Sequence, residues 1–133
     1  MASGEVSPPP AGVLIGWKIL EAVPGSGRAR VQLEASDSFT NGLGTVQGGF
    51  LAAMLDYTLS SALATTYGEN EMGPTLEMKV NFLRAANPGT YVGEAHVVQR
   101  GAAIAFIEGS LVSASGVVVA TASMTSRIIK VPH

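Results

Sequence analysis

From Gly48 to Gly68 the chain carries one charged side chain, Asp56, among Gly, Ala, Leu, Met, Ser, Thr and three aromatic residues. A helix made from such a run is apolar all round and has to be enclosed by protein or by lipid. Roughly 20 apolar residues suffice to span a bilayer. Asp56 at the centre, the hydroxyls of Ser60, Ser61, Thr65 and Thr66, and amphipathic β-like segments on either side point instead to a buried helix of a soluble protein. An unpaired buried carboxylate costs several kcal/mol or is driven toward neutrality. Asp56 is therefore the first candidate for a working residue.

Gly48 and Gly49 open the helix, and Gly68 with Glu69–Asn70–Glu71 stops it. Upstream, Val13 to Leu20 and Arg28 to Ala35 read as strands joined by Pro24–Gly25–Ser26–Gly27 in a hairpin. Downstream, Leu76 to Arg84, Thr90 to Arg100, Ile104 to Ser113 and Val117 to Ile129 are strand-like, and the short loops between them suggest a meander. Leu76, Met78, Val80 and Phe82 alternate with Glu77, Lys79 and Asn81, the pattern of a strand with one covered and one wetter face. A ββαββββ order predicts an α+β fold in which a curved antiparallel sheet of five to six strands wraps one long central helix. On helical spacing, Leu51, Met54, Leu55, Thr58 and Ala62 share one face, and Gly49, Ala52, Ala53, Asp56, Leu59, Ser60 and Leu63 the other. Neither face is wet.

A chain of 133 residues fits one domain, 13–133, after a loose Pro-rich tail at 1–12 that lacks the basic start and apolar core of a signal peptide. Apolar residues make up 47% and charged ones 14%, so further surface is expected to be covered by neighbouring subunits. A net charge of −2 supplies no basic field for nucleic acid. The absence of cysteine excludes disulfides, thiolate metal sites and a cysteine nucleophile, and fits a cytoplasmic protein.

Asn41–Gly42–Leu43–Gly44–Thr45–Val46–Gln47–Gly48–Gly49 places flexible residues just before the helix. The first amides of a helix lack intrahelical partners and lie at the positive end of its dipole, so Gly48 and Gly49 are able to donate to an oxygen gaining negative charge. A plain turn with Thr45 as N-cap is the competing reading. The GxGxxxG spacing of Gly42, Gly44 and Gly48 is not a dinucleotide fingerprint, because no parallel βαβ frame follows it. Asp56, eight residues past Gly48, lies about 12 Å further along the axis. It reads as a general base, kept ionised by hydrogen bonds from Ser60 or another chain or made a stronger base by burial, or else as a structural carboxylate tied to backbone or hydroxyl donors. His96 sits mid-strand and His133 ends the sequence. Without a GxSxG elbow, an HxxxH pair or a carboxylate cluster, neither triad nor metal hydrolysis is indicated, and no cofactor is called for. Arg84, Arg100 and Arg127 read as solvated strand ends, any of which is able to meet a ligand phosphate.

With these residues in view, the chain over about residues 13 to 130 resembles the hot-dog-fold thioesterases of the phenylacetate-degradation type. Thr40–Asn41–Gly42–Leu43–Gly44–Thr45–Val46–Gln47–Gly48–Gly49, then Asp56 within the helix, Gly73–Pro74–Thr75 entering a strand and Asn81–Phe82–Leu83–Arg84 at its end carry the likeness. The resemblance implies a homodimer with a continuous sheet, commonly a homotetramer, and acyl-CoA thioesters bound where subunits meet. It implies roles for the Gly48 amide in oxyanion stabilisation, for Asp56 as nucleophile or general base, for Asn41 in placing the thioester or water, and for Thr75 in supporting the water. Gln47, Gly49, Ser60 and Arg84 are the accompanying substrate-binding candidates. Gln47 stands where many members have His, and its neutral amide donates a hydrogen bond but does not titrate near pH 7. A non-catalytic acyl-CoA binding module is the alternative that this change keeps open.

Overall fold

The computed structural model describes residues 8–132, in the order α1 (Pro10–Leu14), β1 (Lys18–Glu21), β2 (Arg28–Ala35), α2 (Gly48–Ala64), β3 (Glu71–Met72), β4 (Thr75–Phe82), β5 (Gly89–Arg100), β6 (Ile104–Ser113), β7 (Val118–Arg127) and β8 (Ile129–Lys130). Six strands form one antiparallel sheet in the order β1-β2-β5-β6-β7-β4, and β3 pairs with β8 in a second, two-stranded one. The 17-residue α2 packs across β2, β5 and β6, with lighter contact to β7 and β4. This is the α+β hot-dog arrangement. Among the described residues no helix is long and apolar enough to cross a membrane.

The core lies between α2 and the inner face of the sheet. Leu55, Leu59 and Leu63 of the helix meet Val31, Leu33, Ile107 and Leu111 of the strands, all of them 1% exposed or less. Fully burying each such side chain contributes roughly 1.5–3 kcal/mol, so this contact is the main source of stability. The helix can lie this close because β5 carries Gly93 beneath it. A Cβ there would stand 2.1 Å from the Thr58 hydroxyl. Thr58 is itself fully buried and donates its hydroxyl to the Met54 carbonyl at 2.8 Å, which removes the penalty for burying it.

Beyond the C-terminal end of α2 a polar clamp forms. The Glu71 carboxylate accepts from the Gly68 amide at 2.7 Å and from the Arg100 guanidinium, and Arg100 also donates to Thr66. The Gly68 amide, ahead of Arg100 and Lys130, holds the Glu71 carboxyl below the usual range, while burial pushes the Tyr67 phenol up. Arg100 is thus a paired, part-buried residue, and its reading as a solvated strand end is corrected.

Other expectations also change. Val13 to Leu20 is not one strand: Val13 and Leu14 end α1, and β1 starts only at Lys18. Proline near the start of α1 explains this, because a first-turn position has no helical N–H bond to lose. Of the Pro-rich tail expected over 1–12, residues 1–7 lie outside those described, and Pro10 to Gly12 are helical with Gly12 buried. The four later strands are not a simple meander, since β4 pairs with β7 and leaves β5 to pair with β2. Along β4 the expected covered face is largely open: Leu76 is 59% and Phe82 53% exposed. Leu59 and Leu63 belong with the core, whereas Ala52, Ala53, Asp56 and Ser60 are only partly buried and Gly49 is exposed. The side of α2 away from the sheet is therefore not fully enclosed by the described residues.

Candidate active site

The segment before α2 is shaped by Asn41. Its Oδ1 accepts from the backbone amides of Leu43 and Thr45 at 2.9 and 3.2 Å, and its Nδ2 lies 3.1 Å from the Thr45 hydroxyl. Thr40 and Val46 form a bridge that closes the loop, and Gly44 adopts a φ of 82° that a residue with a Cβ rarely takes. Asn41 therefore organises the turn in this chain instead of pointing as a free amide at a ligand. Thr45 is consumed by the same turn and does not cap the helix.

The N-cap is Gln47, with extended backbone (φ −61°, ψ 136°) and no side-chain capping bond. Its amide donates to the Phe39 carbonyl at 2.8 Å, and its carbonyl accepts from Phe50 and Leu51. The Phe39 and Phe50 rings stack 4.1 Å apart, fixing the loop to the first turn. Among the described residues the amides of Gly48 and Gly49 donate to nothing. Those two N–H groups are the free, positive end of α2. Beside Gly48 stands Phe82, at the end of β4, with ring atoms 3.2 Å from where a Cβ on Gly48 would lie. At Gly49 a Cβ would meet nothing within 4 Å, so packing among the described residues gives no reason for glycine there. Gly48, Phe82 and Arg84 line one cleft of about 340 Å³ with Val46 and Leu51.

Asp56 meets Thr75. The Thr75 hydroxyl donates to Asp56 Oδ1 at 2.9 Å, and the same oxygen lies 3.2 Å from Met124 Sδ. One hydroxyl has one proton, and the charged carboxylate is the stronger acceptor, so the bond to Asp56 prevails and the sulfur is a packing contact. Ser60, expected as a possible donor, makes no hydrogen bond to Asp56 among the described residues. Asp56 is only partly buried and Thr75 is exposed, so the enclosing sheath expected from the sequence is absent on this side. The four catalytic candidates thus fall into two groups: Gly48 with Phe82 at one end of β4, and Asp56 with Thr75 at the other, Asn41 remaining in the loop behind Gly48.

Sequence reasoning missed Phe82 and Met124 as contributors. Both lie on β4 or β7 at positions whose neighbours follow from strand order, which no local pattern contains. A concavity of about 690 Å³ lies over the strands, touches no residue of α2 and includes none of the site candidates. Its polar groups are partly engaged already: Arg30 pairs with Glu94 at 3.3 Å, and His96 Nε2 lies 3.7 Å from Glu108. Size alone does not mark the working site.

Residues 43–120 match the family model of the thioesterase superfamily. A solved structure from Ralstonia eutropha JMP134, described as a candidate thioesterase and phenylacetic acid degradation-related protein, is 33% identical and superposes with a TM-score of 0.87 over 93% of each chain. The PaaI protein of the E. coli phenylacetic acid degradation operon shares the fold, with a TM-score of 0.80 at 21% identity over 89% of this chain and 83% of its own. SSO2140 of Saccharolobus solfataricus, named as a candidate esterase, is 30% identical over 90 residues, 68% of this chain and 64% of that protein. The match therefore spans less than two thirds of that relative's length.

Proposed function

The chain belongs to the thioesterase superfamily, and on that footing we propose that it hydrolyses acyl-CoA thioesters to a free acid and CoA in a site completed by two copies of the chain. The observation that carries the reading is the Asp56–Thr75 pair: a carboxylate held by a hydroxyl on the open side of a helix whose first amides are unoccupied.

Geometry decides how the parts combine. A thioester carbonyl needs an amide about 3 Å from its oxygen and a carboxylate, or the water it activates, about 3 Å from its carbon. Those two groups then lie within roughly 7 Å of each other. Gly48 and Asp56 of one helix are separated by about 12 Å along the axis, so one chain does not supply both to the same carbonyl. A second copy does. Strand β4 is an unpaired sheet edge with apolar Leu76 and Phe82 exposed, and such an edge is a template for pairing. Antiparallel β4-to-β4 pairing about a two-fold axis sets the Phe82 end of one strand against the Thr75 end of the other. Gly48 of one protomer is thereby carried toward Asp56 of its partner. The other edge, β1, has four residues, charged ends and a register shift, and is far less suited to pairing. The working unit is a homodimer, and a homotetramer would pair two such dimers. A cytoplasmic location fits the cysteine-free chain.

Each residue then has a task. The Gly48 amide stabilises the negative charge that grows on the carbonyl oxygen. Asp56 deprotonates the attacking water or attacks the carbonyl carbon itself, and Thr75 fixes the carboxylate's direction. Gly49, bare of any side chain, leaves space for the acyl group to pass. Gln47 offers a neutral amide near the thioester, and Arg84, exposed on the Gly48 cleft, is placed to meet CoA phosphates. The thiolate departs without strong acid assistance, which is why so sparse a set suffices for a thioester. Thiol release from a panel of aliphatic and aromatic acyl-CoAs tests the proposal. Turnover supports it, while thermal stabilisation without turnover would replace it by a binding module. Single turnover in oxygen-18 water separates the two roles of Asp56, because label enters the carboxylate only if Asp56 attacks.

A further inference from the structure

Ser126 on β7 is fully buried, and its hydroxyl is an unpartnered buried side-chain oxygen among the described residues. A hydroxyl in that state destabilises the fold, and apolar Ala would fill the place without loss. Its location gives it a use. In the sheet register Ser126 lies between Ala105 of β6 and Thr75 of β4, so Thr75 is its one hydroxyl-bearing cross-strand neighbour. Met124, two residues earlier on the same face of β7, already touches the Thr75 hydroxyl.

We infer that Ser126 is a positioning residue for Asp56, donating its hydroxyl proton to Thr75 Oγ1 while Thr75 donates to the carboxylate. Directly paired strand residues have Cβ atoms about 4.5–5.5 Å apart. The β4–β7 register shifts only after this pair, between Thr75 and Glu77, and one staggered rotation of the serine turns its hydroxyl toward Thr75. Thr75 spends its single proton on Asp56 and keeps both lone pairs, so it is able to accept. A donor behind it polarises its O–H, strengthens the bond to Asp56 and removes the other orientations of the threonine. The chain of bonds runs from the core outward to the reacting group, and Ser126 touches neither substrate nor reacting atoms. This inference rests on the hydrolytic reading of Asp56.

The test compares wild type, Ser126→Ala, Ser126→Cys and Thr75→Val with the double variant carrying Thr75→Val and Ser126→Ala. Ala is smaller than Ser and Cys slightly larger, and neither replaces the hydroxyl as a good donor, so a loss shared by both separates hydrogen bonding from packing. The relay predicts that Ala and Cys each lower kcat by about 5- to 20-fold with KM changed less than about twofold. In the Thr75→Val background Ser126→Ala should change kcat no further. Unchanged kcat in Ser126→Ala, with wild type active, overturns the relay and leaves thioester hydrolysis standing. If wild type hydrolyses no thioester, the functional reading fails by itself, and unfolding midpoints judge the relay. Non-additive shifts from Thr75→Val and Ser126→Ala support the bond, and additive ones overturn it.

Discussion

The sheet-facing side of α2 buries Leu51, Met54, Leu55, Leu59 and Ala62 to 3% exposure or less, whereas Gly49, Ala52, Ala53, Asp56 and Ser60 on the opposite side stay exposed or only partly buried. The first side is explained within one chain: large aliphatic groups fill the space over β2, β5 and β6. The second is built of small residues and one acid, and the described residues leave it partly open. Small side chains there do not serve this chain's own packing, as the open space around Gly49 shows. In the proposed site they leave room for an approach from outside. On the proposed function one helix divides its work, with stability on one side and chemistry on the other, and substitutions should divide in the same way.

The largest expected effect is at the acid. Asp56→Asn keeps shape and the bond from Thr75 while removing the base or nucleophile, and kcat should fall by roughly 10²–10⁴-fold. Melting temperature and dimer mass should stay near wild type; an active, stable Asn variant would break the division. On the sheet side, Leu59→Ala should cost about 2–5 kcal/mol in denaturant unfolding, because a fully buried side chain leaves a cavity. Activity per folded molecule should hardly change. A loss of kcat at full folding would mean that the two sides are coupled.

The smallest effect lies beyond the end of the helix. Glu71 has a carboxyl held below its ordinary range by the Gly68 amide and, after it, by Arg100 and Lys130, so its folded pKa is lower than its unfolded one. A depressed carboxylate stabilises the fold above the unfolded pKa, and that contribution disappears as pH falls through the folded value. Glu71→Gln should therefore lower the melting temperature slightly at neutral pH and not at all under strongly acidic conditions. A deficit that persists unchanged at low pH would assign the clamp to shape instead of charge.

Much of this division was legible before any coordinates. Strand Arg28–Ala35 has the bounds that its residue pattern indicates, and the two glycines mark the start of α2. Asp56 stands out because an acid in such a run is costly. Thr75 came from family resemblance and not from periodicity, and its meeting with Asp56 joins positions 19 apart that no local rule connects. Strand order was hidden for a similar reason: the alternation from Leu76 to Phe82 is the same whether β4 lies beside β5 or β7. The two faces of α2 were blurred because Ala and Gly suit both a packed interior and a surface kept clear for a partner. Leu59 and Leu63 lie at angular positions bordering both faces, so helical spacing alone does not assign them.

Subunit complementation tests the central claim, that Gly48 of one protomer and Asp56 of another act on the same carbonyl. Gly48→Pro removes the amide proton at a first helical position, where proline is tolerated and Gln47 already has the extended backbone proline requires. Alone it should lose roughly 10²–10³-fold in kcat. Mixed with Asp56→Asn under conditions that exchange subunits, half of the dimers become mixed and each regains one intact site, so activity should return to about a quarter of wild type. If activity stays at the level of the two parents after exchange is verified by mass, both groups act within one chain and the shared site is wrong.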